Sequence, residues 1–201
     1  DRGSFLDKFP FEYSSHGVGD YRESSIRVRT PGGHTGTRLV YASYEIYRGK
    51  RKLEGLPATF GSEEEVETLV ITCKDPATNL RVELSYSVFE KLDVIIRSAK
   101  IVNDGKVPVT LEKAMSGCLD MDGGDFDVLT LHGSWARERH VERKPLGHGE
   151  FSVSALRGES SHQEHPFLGM LARGADQTQG EVFGFHFVYS GNFVAKAQMS
   201  Q

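Results

Sequence analysis

Between residues 80 and 88 apolar and polar positions alternate without a break. Leu80, Val82, Leu84, Tyr86 and Val88 fall on one side, and Arg81, Glu83, Ser85 and Ser87 on the other. Side chains of an extended chain point alternately to opposite faces, so a period of two predicts a half-buried strand. The same period recurs over residues 39–47, 66–72, 94–102, 109–115, 151–156 and 181–189. In the last of these, Phe183, Phe185, Phe187 and Tyr189 form an aromatic ladder on one face, which is predicted to lie in the core. Asp75-Pro76, Asn103-Asp104-Gly105, Asp122-Gly123-Gly124 and Ser190-Gly191-Asn192 separate the runs, and glycine or asparagine tolerates the positive φ of tight turns. No window keeps apolar residues at helical spacing, strands do not alternate with helices, and no fixed-period repeat occurs. The expected fold is all-β, a large antiparallel β-sandwich forming a single domain over residues 1–201.

Composition agrees with that picture. Hydrophobic residues at 38% and charged residues at 26% are ordinary globular usage, enough for a continuous core. The formal net charge of -4 supplies no field toward phosphate backbones or anionic lipid, so nucleic acid and membrane are not expected partners. The apolar runs are strand-sized, well short of the roughly 20 residues of a membrane helix. Cys73 and Cys118 lack CxxC spacing and sit within apparent strands, which favours reduced, buried thiols and a cytoplasmic location.

Candidate chemistry is sparse. Gly17-Val18-Gly19 is half of a phosphate-binding fingerprint, but Arg22 stands at the third glycine and no helix follows, so it reads as a turn. Asp120, Asp122, Asp125 and Asp127 carry oxygen ligands suited to calcium, yet Gly124 and Asp125 break the EF-hand order, and a solvated acidic turn is expected. His162 and His165 have zinc-chelating spacing only on a helix, whereas their Ser, Gly and Pro neighbours predict a loop. Residues 158–162 lack the second glycine of a serine-hydrolase elbow. No catalytic residue, metal or cofactor is assigned.

The unusual segment is Gly133-Ser134-Trp135-Ala136-Arg137-Glu138-Arg139-His140, where the only tryptophan sits among glycine and charge. Core tryptophans ordinarily have apolar neighbours. An indole beside arginine and glutamate suits a sugar, whose apolar ring face stacks while its hydroxyls find polar groups. A strand-edge core role for Trp135 remains the alternative.

This segment resembles a stretch of the N-terminal domain of bacterial α-galactosidases of glycoside hydrolase family 36. Gly19-Asp20-Tyr21-Arg22, Gly55-Leu56-Pro57-Ala58-Thr59, Arg157-Gly158 with Ser160-Ser161-His162-Gln163, and Tyr189-Ser190-Gly191-Asn192-Phe193 resemble that family's segments in the same order. The resemblance runs from Asp1 to about Gln198. It implies a β-supersandwich packed against a catalytic (β/α)8 barrel whose two aspartates run a retaining hydrolysis of terminal α-galactosyl residues, from sugars such as melibiose and raffinose. It places both aspartates beyond residue 201, so this chain alone is expected to be inactive. It further implies that the domain supports the sugar pocket, with Trp135 contacting the galactosyl unit, and helps to assemble a homo-oligomer, a tetramer when full length. Ser14, the pair Ser24 and Ser25, and His165 depart from the residues common in that family, which touches loop shape rather than fold. Asp1 and Arg2 resemble residues well inside the family's domain, so the first strands are expected to be missing and their absence to favour self-association. A free-standing carbohydrate-binding or oligomerisation module is the other reading, since fold alone does not set function.

Overall fold

A computed structural model describes residues 10–19 and 21–199. The readings made for Asp1, Arg2 and Asp20 lie outside the described residues. The chain is all-β: β1 (Ile26–Arg29), β2 (Val40–Arg48), β3 (Glu67–Lys74), β4 (Leu80–Phe89), β5 (Val94–Asn103), β6 (Thr110–Ala114), β7 (Phe126–Ser134), β8 (Arg137–Pro145), β9 (Gly149–Ala155), β10 (Phe167–Ala172), β11 (Val182–His186) and β12 (Phe193–Met199). Among the described residues the only helical element is a single 3-10 turn, Glu90–Leu92. Every ladder between strands is antiparallel. The described residues form two compact units, one within 10–52 together with 60–121, the other 53–59 together with 122–199.

In the first unit the sheet β2-β3-β4-β5 carries the predicted alternation, and the pair β1-β6 covers part of it. Leu80, Val82 and Leu84 of β4 are buried with Ile26 and Val28 of β1 and with Tyr13. The Tyr13 hydroxyl donates to the Met115 carbonyl at 2.7 Å. Burial pushes its pKa up to about 12, so the phenol stays neutral and keeps donating.

Further along β4 the buried face changes. Ser87 and Phe89 are buried, whereas Val88, predicted to face the core, is exposed. A strand twists as it runs, so its two faces meet different neighbours at its two ends. Phe89 lies over Gly61 beside Val66, where an added Cβ would stand 2.6 Å from Val66 Cγ1 and 2.8 Å from Phe89 Cζ. Ser87 is accommodated by polar pairing. The fully buried Thr68 donates its hydroxyl to the Gly49 carbonyl at 2.7 Å, so the 2.8 Å contact of its oxygen with Ser87 Oγ uses the serine proton. Both hydroxyls are thereby satisfied away from water.

The β2 strand is exposed along its length except at the half-buried Tyr47. Its register with β3 places Tyr41, Tyr44 and Ile46 on the same face as Cys73, Ile71 and Leu69. On β5, Ile95 pairs with Val88 on that face. Tyr41, Tyr44, Ile46, Val88 and Ile95 therefore form an apolar stripe open to solvent where alternation predicted a half-buried surface.

In the second unit the sheet β11-β10-β7-β8 packs on the pair β12-β9. Val128, Leu168, Met170 and Ala197 form the core, with Phe126, Phe151, Phe183 and Phe185 against it. The aromatic ladder is partly as predicted. Phe183 and Phe185 lie on the inner face of β11, and Phe187 packs on a neighbouring cluster of Val153, Ala155 and Phe193. Tyr189 lies past the end of β11 and is exposed, with its ring edge-on to Phe187 at 6.0 Å.

Candidate functional site

The segment singled out around Trp135 is the hairpin joining β7 to β8. Ser134 pairs with Arg137, which leaves Trp135 and Ala136 at the tip. Ala136 adopts φ 60° and Arg139 φ 55°, left-handed conformations that disfavour a Cβ. Glu138 Oε1 accepts the Ala136 backbone N–H at 2.9 Å. Gly133 is required for a different reason, because an added Cβ would run into the Arg137 carbonyl and come 3.1 Å from Glu138 Cα. Trp135 is 88% exposed, which rules out the core alternative.

The hairpin does not stand alone. The Gly133 N–H donates to the Gln163 carbonyl at 3.1 Å, and the His165 N–H donates to the Leu131 carbonyl at 3.0 Å. Gln163 Oε1 accepts from Arg157 Nη1 at 2.6 Å. His162 Nε2 stands 4.0 Å from Glu138 Oε1. On the other side of that loop the Gly158 N–H donates to Asn192 Oδ1 at 2.7 Å, and the Ser160 N–H donates to the Ser190 carbonyl at 2.8 Å. Three segments that were legible only as separate motifs, residues 133–140, 157–163 and 189–193, therefore meet at one end of the second unit. Together they carry the exposed indole and carboxylate, imidazole, guanidinium and amide groups.

The Glu138 carboxylate accepts its own backbone N–H and that of Ala136, which holds its pKa below the usual range and keeps it ionised. His165 is pushed the other way. Partial burial, with Arg139 and His186 nearby, lowers its pKa, and its ring lies 5.6 Å from that of His186. The folded state then binds fewer protons at this site than the unfolded chain. The resulting stabilisation is present above the ordinary imidazole pKa of about 6.5 and is lost as pH falls through the lower folded value. His165→Asn is therefore expected to flatten the loss of stability as pH falls below about 6.5. Thermal unfolding of both proteins across that range checks it, and an unchanged slope would discount the histidine.

The remaining candidates have ordinary partners. Gly17 and Gly19 take positive φ in a turn. Asp120 accepts the Phe11 N–H at 2.7 Å and pairs with Arg22, Asp125 pairs with Arg173 at 3.3 Å, and Asp127 with Arg143 at 2.7 Å. His162 and His165 face different neighbours, Glu138 and His186. Among the described residues no group of three or more His, Cys, Asp or Glu side chains is placed to hold a metal ion. Both cysteines are free thiols, and among the described residues no helix is long and apolar enough to cross a membrane. Glu138 and Asn192 lay within recognised motifs without being singled out, because their partners are backbone amides that only the folded hairpin and loops bring to them.

Known proteins resemble the chain along its whole length. It is 44% identical over 201 residues to the bifunctional α-galactosidase/sucrose kinase AgaSK of Mediterraneibacter gnavus, covering 100% of this chain and 22% of that protein. The crystal structure of the α-galactosidase AgaA of Geobacillus stearothermophilus superposes with a TM-score of 0.97 at 44% identity, covering 100% of this chain and 28% of that one. A variant of AgaA crystallised in complex with raffinose matches with the same TM-score, identity and coverage. The chain thus spans about a quarter of the length of these relatives. The family model described as the glycosyl hydrolase family 36 N-terminal domain matches residues 1–201, and the chain belongs to that family.

Proposed function

We propose that the chain is the non-catalytic N-terminal domain of a cytoplasmic α-galactosidase that removes terminal α-D-galactosyl residues from melibiose- or raffinose-type sugars with retention of configuration. The domain supports the sugar pocket and takes part in assembling a tetramer. The single observation that carries this reading is Trp135, fully presented to solvent at the tip of a hairpin braced by two further loops. An exposed indole costs solubility unless something covers it, and the apolar face of a galactose ring is a fitting cover. The raffinose complex of AgaA supports the substrate class. The apolar stripe of Tyr41, Tyr44, Ile46 and Ile95 supports an oligomer, and the two free thiols support a reducing compartment.

In this reading Trp135 positions the sugar and excludes water while carboxylates supplied elsewhere do the chemistry. Trp135→Ala in an α-galactosidase carrying this chain is expected to lower kcat/KM on an aryl α-galactoside about tenfold, roughly 1.4 kcal/mol of transition-state stabilisation. An unchanged kcat/KM in a folded variant would reject the substrate role.

A further inference from the structure

We propose that Glu138 is a positioning residue for Trp135: its carboxylate clamps the left-handed turn at Ala136 and so fixes the direction in which the hairpin holds the indole. The inference rests on the reading of Trp135 as a sugar contact. An indole that is 88% exposed has little packing to orient it, so its direction is set by the backbone beneath. That backbone is strained. Ala136 and Arg139 both occupy the left-handed region, and Glu138 lies between them. A left-handed residue with a side chain is sterically disfavoured and persists only where its surroundings over-determine it.

At Ala136 the over-determining contact is the 2.9 Å hydrogen bond from its N–H to Glu138 Oε1. Acceptance by an ionised carboxylate is stronger than by a neutral group, and the same carboxylate accepts its own backbone N–H. His162 Nε2, 4.0 Å from that oxygen, belongs to the loop that Gln163 ties to Gly133, so the clamp is continuous with the bracing of the hairpin base. With Glu138 in place the indole is held ready for a sugar face. Without it the tip samples other turns, and the ligand must order it again on binding.

The test uses Glu138→Ala and Glu138→Gln in an α-galactosidase carrying this chain, alone and combined with Trp135→Ala. Glu138→Ala is expected to raise KM for an aryl α-galactoside about fivefold with kcat within about twofold, as loss of preorganised binding predicts. Glu138→Gln, whose amide oxygen can still accept the Ala136 N–H, is expected to stay within about twofold of wild type. Adding Glu138→Ala to Trp135→Ala should have no further effect, because a positioning residue has nothing left to position.

A second readout is independent of activity. Trp135 is the only tryptophan of the 201-residue chain, and the part of the enzyme's fluorescence anisotropy decay that Trp135→Ala removes reports tip motion, which Glu138→Ala should increase. Full additivity with Trp135→Ala, or an unchanged anisotropy decay, would overturn the proposal. If Trp135→Ala itself leaves kinetics unchanged while Glu138→Ala frees the indole, the clamp stands and the substrate reading fails. Should Glu138→Ala not fold, Glu138→Asp makes the same comparison with a carboxylate too short to reach Ala136. It is expected to behave as the alanine variant does, and wild-type behaviour would overturn the clamp.

Discussion

Gly133→Ala is expected to cost about 3 kcal/mol of stability, among the largest effects of any single added methyl group in this chain. The new Cβ would meet the Arg137 carbonyl and Glu138 Cα, both backbone, so no side-chain rotation relieves the overlap. The β7 and β8 strands have to separate at the tip, where the register already shifts between His132 and Ser134. That separation also breaks the Gly133 N–H bond to Gln163, which joins the hairpin to the 157–163 loop. Urea unfolding together with amide exchange of β7 and β8 checks it. Unchanged stability would mean that the hairpin tolerates a wider opening than its geometry allows.

Ile26→Ala should cost a similar amount for the opposite reason. Ile26 has no exposed surface and packs with Tyr13, Leu80, Val82 and Leu84, while its backbone is held by Ser14 and His16 and paired to Ala114. Removing three carbons leaves a cavity that strands tied on both sides cannot close. The expected loss is about 3–4 kcal/mol, against about 1 kcal/mol for Ile26→Val. Because total stabilities run to only about 5–15 kcal/mol, the alanine variant should unfold at clearly lower urea. Equal effects of the two variants would show that the site relaxes around the lost volume.

The strands that were legible in the sequence are those whose apolar and polar residues alternate, and burial follows that period most closely in β4 and β9. Five others, β1, β7, β8, β10 and β12, were not read as strands, and three of them show why. The β8 strand reads Arg-Glu-Arg-His-Val-Glu-Arg-Lys-Pro and is open to solvent on both faces, so no apolar period exists to detect. In β10, Phe-Leu-Gly-Met-Leu-Ala, both faces are covered and the apolar run is continuous. The β1 strand is four residues long, too short for a period to stand out. The exposed stripe on β2 and the reversal at Val88 were invisible for another reason, since alternation gives faces but not which face is covered at each end.

The candidate site shows the same division. Trp135 stood out because its neighbours are wrong for a core. The clamp from Glu138 needs the folded turn that brings the Ala136 N–H to its carboxylate, and the meeting of residues 157–163 with 189–193 depends on the Gly158 N–H bond to Asn192 across 34 residues, which no local pattern encodes.

The central claim is that this chain supplies the wall of a galactoside pocket and not the chemistry. The most direct measurement is aryl α-galactoside hydrolysis by the isolated chain and by a chimera in which it replaces the matching 202 residues of AgaA, to which it is 44% identical. The account predicts no turnover by the chain alone and a chimera rate within about tenfold of AgaA, about 1.4 kcal/mol in barrier. Turnover by the isolated chain, or a folded chimera without activity, would contradict it.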